Sequence, residues 1–243
     1  MPFFGSVERT FNFGSPQLPI VTSGLQVYLD AGNTSSYPGS GITWTDLTGN
    51  ARNATLVNTP TYSSSQSGYL SFLDTSFQCA TIPNIGNLSQ WTIEAWTRIT
   101  ASLNGKVTAV VCNQFDGINK LNFSLGTNRA PTSYNLCTGF YDGTWRTTNG
   151  FTPTQNTWIQ LIGTYNGTTL NQYVNSVLDT TLSYAGTPQS GGEIRIARRW
   201  DSPNNDSTNF YRGDISIVRI YNRALSTTEI AQNWNANRGR YGL

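Results

Sequence analysis

Trp91-Thr92-Ile93-Glu94-Ala95-Trp96-Thr97-Arg98-Ile99 alternates along its whole length: Trp91, Ile93, Ala95, Thr97 and Ile99 fall on one side, and Thr92, Glu94, Trp96 and Arg98 on the other. A two-residue repeat belongs to a β-strand with one face buried and the other wetter or packed on a second sheet. Leu25, Val27 and Leu29 repeat it around Gln26 and Tyr28, and residues 107–112, 120–125, 157–165, 169–174, 193–198 and 214–221 read the same way. Turns rich in Gly, Asn, Pro and Ser separate the runs. Many short strands punctuated like this predict an all-β fold, an antiparallel sandwich or jelly roll. One hairpin is marked: Trp158 to Tyr165 runs into Asn166-Gly167 and on through Val174. Asn-Gly suits the positive φ values of a type I′ turn. At the next turn, Asn175-Ser176, Ser in place of Gly predicts strain or a longer loop.

A helix is predicted near the C-terminus. Ser226-Thr227-Thr228-Glu229 is a capping box, and Leu225 and Ile230 are spaced for a hydrophobic staple. Ile230 and Trp234 share one face, positioned to clip the helix to the sandwich, and Gly239 is a plausible stop.

Composition removes several function classes. The chain has 243 residues, a length that fits one large all-β domain as well as two small ones. Charged residues make up 12%, against roughly 25% in ordinary globular domains, while aromatics reach 12% with seven Trp. That balance supplies a core and argues against disorder. Without a single His there is no Ser-His-Asp or Cys-His catalysis, no imidazole ligand and no imidazole pH switch. A net charge of +2 with no Lys/Arg run excludes a nucleic-acid grip. No apolar stretch approaches the roughly 18 residues of a membrane helix. Cys79, Cys112 and Cys137 are odd in number and widely spaced. They read as small buried hydrophobes, or else as one disulfide plus a free thiol, and a structural zinc site is not expected.

Residues 1–23 stand apart as an extended N-terminal arm. Phe3, Phe4, Phe11 and Phe13 are spaced by Gly and polar residues, and Pro16 and Pro19 follow. Termini stay poorly ordered unless tied down, so these aromatics read as anchors, docked on their own domain or on a neighbour. The start lacks the basic and apolar regions of a Sec signal, and Met1 favours a protein made without Sec export.

Three segments carry a family resemblance. They are Gly24 through Asn33, continuing to Trp44-Thr45-Asp46-Leu47-Thr48-Gly49-Asn50; then Trp91 through Trp96; and then Gly213-Asp214-Ile215 with Val218-Arg219-Ile220-Tyr221-Asn222-Arg223-Ala224-Leu225-Ser226 and Glu229-Ile230. Together they resemble the LamG-like jelly-roll domains of the concanavalin A-like lectin/glucanase superfamily, over residues 24–243. Free-standing chains of this kind look like bacteriophage virion proteins, and the ending from Asn233 to Leu243 resembles the endings of phage structural proteins. The resemblance implies two curved antiparallel sheets with a concave face, and loops at one end that often bind glycans, sometimes with calcium. Many relatives carry Phe-Asp-Gly followed by Asn-Asp-Tyr. Here Phe72-Leu73-Asp74-Thr75-Ser76-Phe77 inserts a residue and loses the second acidic position, which removes a ligand from any calcium site there.

No catalytic residues are expected. Laminarinase-type relatives use Glu-x-Asp-x-x-Glu on one strand, and glycoside hydrolysis needs two carboxylates. Glu8, Glu94, Glu193 and Glu229 are far apart and none sits in that motif. No cofactor is required, and calcium is an optional one. Its best cluster is Asp201 and Asp206 near Asp214, with Asp30, Asp46 and Asn50 a second; solvated loop and turn capping are the plainer readings of the two. Glycan contacts fall to Tyr141, Asp142 and Trp145, and to Arg199, Trp200, Asp201 and Asn204, where an aromatic face packs on a sugar and polar groups read its hydroxyls. The plainer reading makes Trp145 and Trp200 half-buried loop anchors. Arg212-Gly213-Asp214 enters a strand and is not expected to act as a recognition loop. The Asn53 and Asn166 sequons are expected to stay empty.

The combined expectation is a non-enzymatic virion structural protein, a capsid or head decoration or a neck-associated protein. Its arm binds a capsid or neck protein, and it is expected to be homo-oligomeric. Cell-surface glycans are further partners; nucleic acid and membrane are not. The alternative is a glycan-binding adhesin, on a phage tail or secreted by a bacterium.

Overall fold

The computed structural model describes residues 19–103, 105–113, 121–127, 135–199 and 207–243. In chain order the strands are β1 (Leu25–Asp30), β2 (Thr43–Trp44), β3 (Ala54–Val57), β4 (Thr61–Ser63), β5 (Tyr69–Phe72), β6 (Cys79–Ile82), β7 (Trp91–Ile99) and β8 (Ala109–Cys112). They continue as β9 (Ser124–Thr127), β10 (Leu136–Tyr141), β11 (Trp145–Thr147), β12 (Trp158–Tyr165), β13 (Thr169–Val174), β14 (Val177–Ser183), β15 (Ile194–Ile196) and β16 (Gly213–Tyr221). One helix, α1 (Thr227–Asn237), follows. Among the described residues the strands form two antiparallel sheets. The first runs β14-β13-β12-β7-β16-β5-β4, with β1 also on β16; the second runs β11-β10-β9-β8-β15-β6-β3-β2. The chain passes repeatedly between the sheets, at β1–β2, β3–β4, β5–β6, β6–β7, β7–β8, β11–β12, β14–β15 and β15–β16. This is the expected two-sheet jelly-roll sandwich.

β7 lies at the centre of the first sheet, between β12 and β16. Trp91, Ile93, Ala95 and Ile99 join Trp44, Phe123, Phe140 and Tyr165 in the inter-sheet core. The sheets come so close at Gly163 that a Cβ there would clash with Thr138 Oγ1. The other face of β7 departs from expectation. It is not wetter and it faces no sheet: Thr92, Glu94 and Trp96 are fully buried beneath α1 and the turn that follows it.

The helix is built as its local sequence dictates. Ser226 Oγ accepts from Glu229 N at 3.3 Å, and Glu229 Oε2 accepts from Ser226 N at 2.9 Å. Arg223 adds a fork onto Glu229 at 2.9 and 2.6 Å. The Arg223 guanidinium holds the Glu229 carboxyl far below the usual range, to about 2. Leu225 and Ile230 meet in one cluster with Val21, Ile162, Tyr173 and Tyr221. Gly239 is not the stop. A 3₁₀ turn carries on through Arg238–Tyr241, and Gly242, at φ 73°, ends it. The extra turn brings Tyr241 back over the sheet.

The turns also differ from the reading. At Asn166-Gly167 only Gly167, at φ 98°, lies in the left-handed region, so the turn is not type I′. The Asn166 side chain instead accepts from Thr168 N and Thr169 N at 3.0 and 2.8 Å. At Asn175-Ser176 the loop is not longer. Val174 pairs with Val177, and both turn residues take positive φ, 51° and 63°, so the strain falls on Ser176. The three cysteines are buried, Cys112 Sγ donates to the Arg198 and Arg199 carbonyls at 3.3 and 3.1 Å, and burial pushes the Cys137 thiol up to about 12. Among the described residues, no helix is long and apolar enough to cross a membrane.

Candidate functional site

The carboxylates come first, because they decide what chemistry is open to the fold. Glu94, on the outer face of β7, is sealed from solvent with Arg219 of β16, whose Nη1 donates to Glu94 Oε1 at 2.9 Å. Gln160 Nε2 and Trp96 Nε1 donate to the same oxygen at 2.9 and 3.2 Å, and Asn233 Nδ2 of α1 donates to Oε2 at 2.8 Å. Burial works to lower the Arg219 pKa; the Glu94 carboxylate, together with the Tyr28 and Tyr221 hydroxyls, outweighs it and holds the pKa above the usual value. Glu193 bonds Arg195 and Glu229 bonds Arg223 on separate elements. Glu8 lies outside the described residues.

The candidate calcium carboxylates follow. Asp201 and Asp206 lie outside the described residues. Asp30 Oδ1 accepts from Gly32 N and Arg240 Nη2 at 2.8 and 2.9 Å, and Oδ2 from Arg240 Nη1 and the Tyr28 hydroxyl at 2.8 and 3.2 Å. Asp46 accepts two donors on each oxygen, from Tyr28 N, Thr48 N, Thr48 Oγ1 and Arg52 N. These oxygens organise turns and an ion pair. Asp74 bonds Lys106 Nζ at 2.6 Å, and Asp214 bonds Arg98 Nη2 at 2.6 Å inside β16; of the Arg212-Gly213-Asp214 tripeptide, Gly213 and Asp214 are buried in that strand and Arg212, just before it, is exposed. Among the described residues no group of His, Cys, Asp and Glu is arranged to hold a metal.

The expected glycan residues are drawn together in part. β10 and β11 form a hairpin at the edge of the second sheet, and Tyr141 pairs with Trp145 across its tip. Their rings meet edge to face, 5.4 Å apart at 65°. The Arg199 guanidinium lies 4.7 Å over the Trp145 ring, and Arg199 Nη1 donates to the Thr127 carbonyl at 3.1 Å. All three side chains are half-buried, and the two rings are seated on Ala109, Cys112 and Leu121. Trp200 and Asn204 lie outside the described residues.

Two residues that the sequence reading passed over, Arg146 and Tyr184, complete the patch. Asp142, in the hairpin turn, accepts from Arg146 Nε at 3.2 Å, and the Arg146 guanidinium sits 3.8 Å over the Tyr184 ring. Desolvation works to raise the Asp142 pKa, but hydrogen bonds from Tyr184, the Thr144 backbone and Arg146 pull it below its usual value. Bonding to Asp142 in turn raises the Tyr184 hydroxyl. The spacing of Asp142 and Arg146, four apart across a tight turn, was the available signal for Arg146. Tyr184 follows β14 and left none. The result is an apolar ring edge bounded by two fixed guanidinium groups and an ionised carboxylate. It can stack and hydrogen-bond.

A family sequence profile, described as the concanavalin A-like lectin/glucanases superfamily, matches residues 73–231. No curated protein sequence matches the chain. Among solved structures, domain 4 of AbnA, a GH43 extracellular arabinanase from Geobacillus stearothermophilus solved with arabinotriose, aligns with a TM-score of 0.66 at 15% identity, over 88% of this chain and 98% of that one. The binding domain of Paraclostridial Mosquitocidal Protein 1 aligns with a TM-score of 0.65 at 18% identity, over 88% of this chain and 52% of that one. The receptor binding domain of botulinum neurotoxin type G gives 0.60 at 12% identity, over 87% and 51%. The chain therefore spans about half of either toxin domain. At such identities the likeness is one of fold.

Proposed function

The chain belongs to the concanavalin A-like lectin/glucanases superfamily, and we propose that it is a non-enzymatic, lectin-like module that binds glycan at the tip of β10 and β11. The observation that carries this reading is the Arg199–Trp145–Tyr141 stack beside Asp142, half-buried at a sheet edge. A ring so placed offers its remaining edge and face to the C–H face of a sugar, while Arg199 and Asp142 offer a donor and an acceptor to hydroxyls. Pre-ordered side chains lose little freedom on binding. The likeness of fold to a domain solved with arabinotriose and to two domains named for binding adds support. The carboxylates argue for binding over hydrolysis. Two-carboxylate catalysis needs an acid and a base flanking one bond, roughly 5–9.5 Å apart. Glu94 is sealed, and Glu193 and Glu229 are tied to arginines elsewhere. The reading needs no cofactor.

A glycan array probed with the full chain tests it. Saturable binding to a defined saccharide is expected, and Trp145→Ala should weaken it at least about tenfold, roughly 1.4 kcal/mol. Silence across the array, or Trp145→Ala binding as the parent does, overturns the assignment.

We further propose that the module is displayed on a virion, as a head decoration or neck-associated protein in homo-oligomeric form. The resemblance of free-standing chains of this kind to bacteriophage virion proteins, and of the stretch from Asn233 to Leu243 to the endings of phage structural proteins, supports this. So does the way the root of the arm is fixed: Val21 N donates to Asn233 Oδ1 at 2.9 Å, and the Tyr221 hydroxyl donates to the Val21 carbonyl at 3.0 Å. Phe3, Phe4, Phe11 and Phe13 lie outside the described residues. Deleting residues 1–18, which spares Val21, is expected to leave the thermal midpoint within a few degrees of the parent and to abolish co-purification with particles. Full particle occupancy by the truncated chain would defeat the anchoring role.

A further inference from the structure

The hairpin between β12 and β13 turns at Asn166-Gly167, where Asn166 and Thr168 are exposed and Gly167 is half-buried. Asn166 Oδ1 accepts three donors: Thr168 N at 3.0 Å, Thr168 Oγ1 at 3.1 Å and Thr169 N at 2.8 Å. The bond from Thr168 N closes an Asx turn, a ring of atoms that contains both Asn166 Cγ and Gly167 N. Carbonyl carbon and amide nitrogen are thereby held as neighbours. Among the described residues, neither Gly167 N nor Asn166 Nδ2 makes a hydrogen bond. Gly167 also brings no side chain to crowd its nitrogen. A polarised carbonyl, an uncommitted nitrogen beside it and an uncommitted leaving group are the parts of an intramolecular displacement.

We propose that this turn is a self-modifying site, at which the fold promotes conversion of Asn166 to aspartate and isoaspartate. Gly167 N gives up its proton to water or hydroxide and attacks Asn166 Cγ. The new C–N bond closes a five-membered imide. The Cγ–Nδ2 bond breaks, and ammonia leaves with a proton returned from solvent. Negative charge gathers on Oδ1 in the tetrahedral intermediate, where three donors already point. Water then opens the imide at either carbonyl, giving aspartate, or isoaspartate with one extra methylene in the main chain. Asn149-Gly150, the other such pair among the described residues, lacks these parts. Its side-chain carbonyl accepts no donor there, and Gly150 is pressed on Asn135, whose Cβ would lie 2.1 Å from an added Gly150 Cβ.

The change reaches further than the turn. The Tyr165 hydroxyl lies 2.8 Å from the Gly167 carbonyl and 2.7 Å from the Gly186 carbonyl, and it accepts from Gly186 N at 2.9 Å. Gly186 passes close to the patch: a Cβ there would meet Asp142 Oδ2 at 2.7 Å and the Tyr184 ring at 2.6 Å. A longer, newly charged turn displaces the Gly167 carbonyl and, through Tyr165, loosens Gly186. Only the bearing of that movement on sugar binding rests on the glycan reading above.

Peptide mapping by mass spectrometry of the full chain, aged at neutral pH, tests the chemistry without any glycan. Isoaspartate at 166 is expected to accumulate at least about tenfold faster than at 149. Thr168→Val removes the Oγ1 donor alone and should slow conversion about twofold to tenfold, as one neutral hydrogen bond is worth. Asn166→Gln, whose ring would be six-membered, should abolish it at 166. Hydrogen exchange at the Gly186 amide should quicken several-fold in the aged parent and stay at its fresh value in aged Asn166→Gln. Asn166 converting no faster than Asn149, or Thr168→Val converting at the parent rate, overturns the self-modifying site. Full conversion with Gly186 exchange unchanged overturns the coupling. A glycan array that stays silent while Asn166 converts defeats the binding reading and leaves this one standing.

Discussion

Replacing Arg219 by Met is expected to lower the unfolding free energy by about 3–5 kcal/mol, the loss found when one partner of a buried ion pair is removed. Both side chains are fully sealed. Without Arg219, the Glu94 carboxylate keeps only neutral donors, from Trp96, Gln160 and Asn233. Arg219 also donates to Asn237 Oδ1 at 3.2 Å and lies 4.7 Å over the Tyr28 ring, so one guanidinium binds β7, β1 and α1 together. Arg219→Lys keeps the charge but not the second arm of the fork, and should fall between the parent and Arg219→Met. Urea unfolding reads this as a lower midpoint at unchanged slope. A loss under about 1 kcal/mol, the range of exposed pairs, would mean that water reaches Glu94 and that the pair is not what fastens the helix.

That pair also marks how far the sequence could be read. Trp91 to Ile99 announced a strand because a period of two is a local property, and the capping box at Ser226 and Glu229 announced a helix for the same reason. Glu94 and Arg219 are 125 residues apart, and nothing in either neighbourhood says that two strands will bring them together. Read alone, Glu94 was a glutamate without an acidic partner. In the fold it is a structural anion. More strands went unread than were exposed: Ala54–Val57, Tyr69–Phe72, Cys79–Ile82 and Leu136–Tyr141 carry buried residues but run for only four to six positions, Thr43–Trp44, Thr61–Ser63 and Trp145–Thr147 are shorter still, and the side chains of Val177–Ser183 are largely exposed. A strand without a buried face has no alternation to show. At the proposed glycan patch, Tyr141, Asp142 and Trp145 stood out because aromatics beside a turn carboxylate are locally unusual. Tyr184 was not, because its place beside Arg146 depends on how β14 leaves the sheet. The arm was legible as an outlier in composition, and its root proved to be fixed by Asn233, a residue of the helix at the far end of the chain.

Trp96→Ala is expected to be comparably damaging, about 3–5 kcal/mol, as for other buried Trp truncations. The Trp96 ring is held between two others: Trp234 of α1, 5.3 Å away and 8° from parallel, and Tyr241 of the following turn, 4.3 Å away at 14°. Tyr241 leans on Trp158 as well, at 4.8 Å. Removing the central ring leaves Trp234 and Tyr241 without the surface they cover, and the pieces cannot collapse together because β7 is pinned between β12 and β16. The loss should therefore be uneven. Hydrogen exchange is expected to quicken across Thr227–Asn237 and at Val21, whose amide depends on Asn233, while amides of β12 and β7 stay protected. Trp96→Phe keeps a ring in the slot but no donor for Glu94, and should lose less. If Trp96→Ala speeds exchange equally in the inter-sheet core, then helix and sandwich unfold as one unit, and the C-terminal segment is not a separately latched cover over the sheet.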